Sequence, residues 1–103
     1  MAKIKITPQA KKDIKAIYKY ILKKSYQNAE MISEEIIKKI DSLNKQPDRG
    51  KIVKELNNPQ IRELTLFKFR IIYRIKALVV EIITVQHSSR LLINNPHLKD
   101  LFK

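Results

Sequence analysis

The sequence predicts an α+β domain: an N-terminal strand, an antiparallel helix hairpin, then a three-stranded antiparallel meander, with the helices packed on one sheet face. Three observations carry this. Lys3 to Thr7 alternates Lys, Ile, Lys, Ile and Thr, the period of a strand with one buried face. Between Pro8 and Leu43, two stretches place apolar residues three and four apart, the period of an amphipathic helix. After Pro59, three strand-like runs follow one another with short connections.

Thr7-Pro8 reads as a helix N-cap followed by proline at the first helical position. Ala10, Ile14, Ile17 and Ile21 then form one stripe, widened by Tyr18 and Leu22, so the first helix runs to about Lys24. Lys11, Lys15, Lys19 and Lys23 form a ladder on another face, read as a solvated helix surface ahead of a nucleic-acid contact. Ser25 to Asn28 breaks the pattern. A second helix follows, with Ala29, Ile32, Ile36, Ile40 and Leu43 on one side. Its glutamates lie early and its lysines late, which suits the helix dipole. The segment Gln46-Pro47-Asp48-Arg49-Gly50 ends the helical half. Gly50 is the chain's one glycine, so a turn with positive φ is expected there. A short extended piece, Lys51 to Leu56, leads to the Asn57-Asn58-Pro59 turn. The strands are then Ile61–Leu66, Lys68–Ile75 and Val79–His87. The second alternates a core face with a largely cationic one; the third is apolar on both faces, as a central strand would be. Helices on one face leave the other, bearing Arg70 and Arg74, open to a partner. In the tail, 91–103, Pro96 to Phe102 is expected to form one or two helical turns.

The 103 residues suit a single domain, 1–103. With 22 Lys+Arg against 10 Asp+Glu the formal charge is +12, which points to a polyanionic partner: nucleic acid, a ribonucleoprotein or an acidic protein. The absence of cysteine excludes disulfides and thiolate chemistry, and permits a cytosolic compartment. There is no signal-peptide pattern and no apolar run of membrane-spanning length, so a soluble cytoplasmic protein is expected. No HExxH, Walker or glycine-rich loop is present, so no metal and no cofactor is expected.

The residues with chemistry to offer lie late in the chain. Four of the five arginines (Arg62, Arg70, Arg74, Arg90) and one of the two histidines (His87) fall between Ile61 and Arg90. Elsewhere the positive charge is almost all lysine. Arginine presents a planar fork of donors that fits phosphate and carboxylate; lysine is a hydrated point charge. RNA cleavage by its own 2′-hydroxyl needs a base, an acid and cations around the transition state. His87 is suited to either proton-transfer role, and Glu63 or Glu81 is a candidate for the other. Read more plainly, His87 ends its strand with local hydrogen bonds, while the arginines pair with carboxylates of a protein partner. His97, after a proline in the tail, reads as an ordinary surface residue.

Order of elements and residues together resemble the RelE/ParE toxin superfamily of bacterial type II toxin–antitoxin systems, which includes plasmid stabilisation proteins. The resemblance runs from Ile4 to about Leu92. It rests on Ala10, Asp13, Ile17 and Tyr20-Ile21; on Leu43, Pro47, Gly50, Val53 and Leu56; on Ile61-Arg62-Glu63-Leu64; on Phe69-Arg70-Ile71-Ile72-Tyr73-Arg74-Ile75; and on Val85-Gln86-His87 with Arg90. It implies a growth-inhibiting toxin neutralised by a cognate acidic antitoxin that lays an extended or helical segment over it. RelE-like members cut mRNA in the translating ribosome; ParE-like members inhibit DNA gyrase. RelE-like chemistry here would be metal-independent and would use His87, Arg62, Arg70 and Arg90. Antitoxin or target binding would use Arg62, Arg70, Arg74 and Arg90. The run from Pro47 through Arg74 is closer to the ParE-like pattern. RelE-like nucleases usually carry a tyrosine or a dense basic set after the last strand, where this chain has Ser88-Ser89-Arg90-Leu91-Leu92. The resemblance therefore favours gyrase inhibition over mRNA cleavage. A basic nucleic-acid-binding module without toxicity is the further alternative.

Overall fold

A computed structural model describes residues 1–98. Strand β1 (Lys3–Ile6) leads into helix α1 (Pro8–Leu22). The hydroxyl of Thr7 accepts the Ala10 N–H at 3.2 Å and caps the helix, with Pro8 in the first turn. The same hydroxyl lies 2.7 Å from the Ile82 carbonyl, fixing where the helix leaves the sheet. Helix α2 (Tyr26–Asp41) starts earlier than the sequence suggests, because Ser25 caps it by accepting the Asn28 N–H at 3.1 Å. Leu43 lies beyond α2, in a 3-10 turn, and is fully buried.

Strands β2 (Lys51–Ile52), β3 (Ile61–Leu66), β4 (Phe69–Lys76) and β5 (Val79–His87) complete one five-stranded sheet. Its order is β1-β5-β4-β3-β2. The β3-β4-β5 meander is antiparallel, as expected. The first strand returns to lie parallel beside β5, so β5 is an interior strand, consistent with its apolar sequence.

The helices cover one sheet face. Ile36, Ile40 and Leu43 pack there against Leu64, Ile71, Tyr73, Ile82 and Val85. The opposite face is not open. Val53, Ile61, Ile72, Leu92 and Leu98 form a second buried cluster, joined by Leu56 and Ile83. The segment after β2 and the tail lie over that face, because Ile61, Ile72 and Ile83 would otherwise present apolar surface to water. In the tail, a 3-10 turn (Leu92–Asn94) precedes the expected helical turns, and 96–98 form a turn in their place; the rest of that expectation, beyond Leu98, lies outside the described residues.

Gly50 differs from expectation as well. Its φ is −71°, available to any residue, and the positive-φ positions among the described residues are Asn57, Phe67 and Ala77. Glycine is needed at 50 for space: a Cβ there would sit 2.6 Å from both the Glu63 carbonyl oxygen and the Tyr73 hydroxyl.

Candidate functional site: an apolar groove with a basic rim

The structure does not gather the arginines around His87. Side chains alternate along a strand, so Arg70 and Arg74 project from the sheet face opposite the helices, while Arg62 and His87 project on the helix side. In the ladder, Arg62 pairs with Tyr73 and His87 with Phe69. Those rungs are four residues of β4 apart, roughly 13 Å at about 3.3 Å per residue.

Each sheet arginine is occupied. Arg70 forms an ion pair with Glu63 and a second, at 3.2 Å, with Glu55. Its side chain is 13% exposed and that of Glu63 is 16% exposed. Burial opposes its charge, but the two carboxylates outweigh this and push the guanidinium above its ordinary value. Arg74 pairs with Glu81 at 2.9 Å. Arg62 donates to three main-chain carbonyls: Gly50 at 2.9 Å, with Asp48 and Pro59 each at 3.2 Å. It therefore fastens the 48–59 loop to the sheet. Glu63 and Glu81, the candidate second proton-transfer groups, are the carboxylates of these pairs and lie on the face away from His87.

His87 ends β5 with its ring edge-on to Phe69, centroids 5.9 Å apart and planes at 83°. Its Nδ1 accepts the Ser89 N–H at 3.1 Å and lies 2.7 Å from Ser89 Oγ. A backbone N–H donates only, so the neutral ring carries its proton on Nε2. The Arg90 guanidinium donates to the Asn94 carbonyl at 3.3 Å. Buried Gln86 places it, donating from Nε2 to the Arg90 carbonyl at 3.0 Å and accepting from Asn95 at 2.7 Å.

His87 and Arg90 share a groove of about 620 Å³ between the helix hairpin and the open end of the meander. Its walls are apolar, with Ile17, Tyr20 and Ile21 facing Phe67, Phe69 and Val85. Lys68, His87 and Arg90 give it a basic rim. Asp13, the acid in its wall, is committed: Oδ2 accepts from the Thr84 hydroxyl and, at 3.1 Å, from the Val85 N–H, while Oδ1 accepts from Gln9. Phe67 is held out at the β3–β4 turn with φ 54° and 56% exposure, and Tyr20 is 62% exposed. A groove beside the helix hairpin is what a hairpin laid on a sheet leads one to expect, but its lining is not legible in any one stretch, because it comes from the helices, the β3–β4 turn and the ends of β4 and β5. The readable signal was an aromatic, Phe67, at a hairpin turn. Among the described residues no group of His, Asp and Glu is arranged to hold a metal ion, and no helix is long and apolar enough to cross a membrane.

A family model described as the ParE toxin of the type II toxin–antitoxin system parDE matches residues 4–92. The chain belongs to the ParE toxin family. The resemblance read from the sequence is thereby borne out, and so is the α+β fold of this ParE-family toxin. Comparison with curated protein sequences gives no significant match. Among solved structures, the ParE-family chain is similar to a chain of the chromosomal ParDE toxin–antitoxin system from P. aeruginosa. The TM-score is 0.70 at 24% identity, covering 84% of this chain and 96% of that one. It is also similar to a chain of the toxin–antitoxin complex RelBE2 from Mycobacterium tuberculosis. There the TM-score is 0.59 at 20% identity, again covering 84% and 96%.

Proposed function

We propose that this ParE-family toxin arrests growth by binding, with DNA gyrase as its target, and that a cognate acidic antitoxin silences it by filling the groove. The observation that carries the binding mechanism is the commitment of the sheet arginines. Arg70 and Arg74 are neutralised by Glu55, Glu63 and Glu81, and Arg62 is spent on loop carbonyls. Phosphodiester cleavage needs an acid, a base and free cations around one phosphate. His87 shares the groove rim with Lys68 and Arg90, but the acid lining the groove among the described residues, Asp13, is committed to Thr84 and Val85, so no second proton-transfer carboxylate stands free beside it. The family membership and the similarity to a ParDE chain support the ParE-like target over the ribosome.

The groove supports the antitoxin reading. Apolar walls with exposed aromatics and a basic rim fit an amphipathic segment carrying acidic residues. The test is a pair of assays on the purified chain: gyrase supercoiling, and primer extension on mRNA in translating ribosomes. Supercoiling inhibition that an acidic antitoxin relieves is expected, with no cuts. Codon-phased cuts that disappear in His87→Ala would instead establish a RelE-like nuclease.

A further inference from the structure

We propose that the solvent side of α1 is a docking surface for the phosphate backbone of duplex DNA, carried by Lys11, Lys15, Lys19 and Lys23. The inference goes beyond the reading above and does not depend on which enzyme the toxin inhibits.

The two helices of the hairpin carry opposite charge. Between Pro8 and Leu22, α1 has four lysines (11, 12, 15, 19) and one acid, Asp13, which is turned inward onto Thr84 and Val85. Between Tyr26 and Asp41, α2 has four acids (30, 34, 35, 41) and two lysines (38, 39). Helix α2 follows the local rules, with a Lys38–Glu35 pair and lysines in its last turn. Helix α1 breaks them. Lys11 and Lys12 stand close to the positive end of the dipole, and Lys11, Lys15, Lys19 and Lys23 repeat at i,i+4, where like charges repel. All four lysines are exposed, and none has a carboxylate partner among the described residues. Departures from local consistency concentrate where function requires them.

The geometry and residue type select the partner. Four residues of helix rise about 6 Å, so the stripe spans roughly 18 Å along one side. A DNA strand presents one phosphate per about 3.4 Å of duplex axis, so a stripe of this length meets several. Lysine is depleted at protein–protein interfaces and is a standard donor to phosphate. Single-strand binders interleave open stacking aromatics with their charge; here Tyr18, beside Lys11 and Lys15, is partly buried, and Tyr20 lines the apolar groove.

The test is fluorescence anisotropy with the purified full chain and a labelled 20-base-pair duplex of arbitrary sequence. Binding should weaken with salt at a log–log slope of about −3 to −4, from four neutralised phosphates at about −0.9 each. Replacing Lys11, Lys15, Lys19 and Lys23 with Gln should weaken binding at least tenfold and flatten the slope. Gln has nearly the helix propensity of Lys, so α1 should persist by circular dichroism. A control quartet of exposed lysines on the sheet side, Lys3, Lys51, Lys54 and Lys76, changed to Gln, should alter affinity by less than threefold. Equal losses in the two quartets would reduce the effect to net charge and overturn the proposal. Tighter binding of single-stranded DNA, or equal displacement by polyglutamate of matched charge, would overturn it too. The assay contains no gyrase, so its failure and a failure of the gyrase reading are separate results.

Discussion

The hydroxyl of Tyr73 stands in the space that a side chain at Gly50 would need. The Gly50 N–H donates to it at 2.9 Å, and it donates in turn to the Pro47 carbonyl at 2.7 Å. Tyr73 is fully buried, so this pair pins the loop between the helices and the meander to the core. Gly50→Ala would push its methyl against backbone at Glu63 and against the Tyr73 ring, so about 2–3 kcal/mol of destabilisation is expected in urea unfolding. Tyr73→Phe leaves a donor and an acceptor unpaired and should cost about 1–3 kcal/mol. The two losses should be less than additive, because removing the hydroxyl removes part of the clash.

Tyr73 also sets an alkaline limit. Burial pushes its phenol above 10.0, outweighing the Gly50 N–H and the Arg62 charge, which act the other way. A raised phenol means that the fold prefers the neutral form. The contribution is complete below the unfolded value and is lost as pH rises through the folded one. Thermal melts of the natural chain and Tyr73→Phe should therefore differ most at pH 8 and converge above pH 10. A gap of constant size up to pH 11 would contradict this.

Much of the fold was legible because periodicity reports burial locally. The alternation at Lys3–Thr7, the stripes on α1 and α2 and the three late strands all reappear in place. The second core did not announce itself. It joins Val53, Ile72, Leu92 and Leu98 from three distant segments, and the tail residues have no period to betray them. The hairpin turns hid too, since Phe67 and Ala77 adopt positive φ without glycine. At the site, residue type pointed to the arginines, but their partners decide their role. Glu55, Glu63 and Glu81 are ordinary acids in the sequence, and only strand register brings the last two beside Arg70 and Arg74.

Arg70 is accordingly a stability residue. Removing it would leave Glu63 poorly solvated and unpaired beside Glu55. For a fully buried pair that costs about 3–5 kcal/mol, and partial exposure here reduces it to about 2–3 kcal/mol for Arg70→Gln. Burial tends to raise the Glu55 carboxyl, but the hydrogen bond from Arg70, aided by backbone and charge, holds it below 4.5. A depressed carboxyl stabilises the fold above its unfolded value and stops doing so as pH falls through its folded one. The penalty of Arg70→Gln should thus be largest near pH 7 and shrink below about pH 4.5, as urea titrations at both pH values will show. Charge reversal at Arg70 and Arg74 would test the fold, not an interface.

His87→Ala separates binding from catalysis. The ring packs on Phe69 and accepts from Ser89 while remaining exposed, so its loss should cost less than about 1 kcal/mol of stability. In the binding mechanism proposed above, growth arrest and supercoiling inhibition should persist within about threefold, since a shallow contact contributes little. A nuclease deprived of its general acid or base would lose about 10²–10⁴ in rate with target affinity retained. Dose–response curves for arrest, read beside protein abundance, decide between the two.

Phe67 gives the sharpest test of the groove, because fold and interface want different residues there. The fold holds it at φ 54°, a conformation that costs an L-residue about 1–2 kcal/mol and glycine almost nothing. Its side chain is more than half exposed and lines the groove. Phe67→Gly should therefore leave stability unchanged or raise it, offset only by the extra chain entropy of glycine. Yet an exposed aromatic at the mouth of an apolar groove is the kind of residue that anchors a partner, and its truncation should cost about 2 kcal/mol or more of binding. At about 1.4 kcal/mol per decade, antitoxin affinity should fall roughly thirtyfold. Calorimetry with the cognate antitoxin, alongside a melting curve, measures both. Weaker binding together with an equal or higher Tm places the aromatic at the interface, since a damaged fold would lower both. Unchanged affinity would move the antitoxin off this groove.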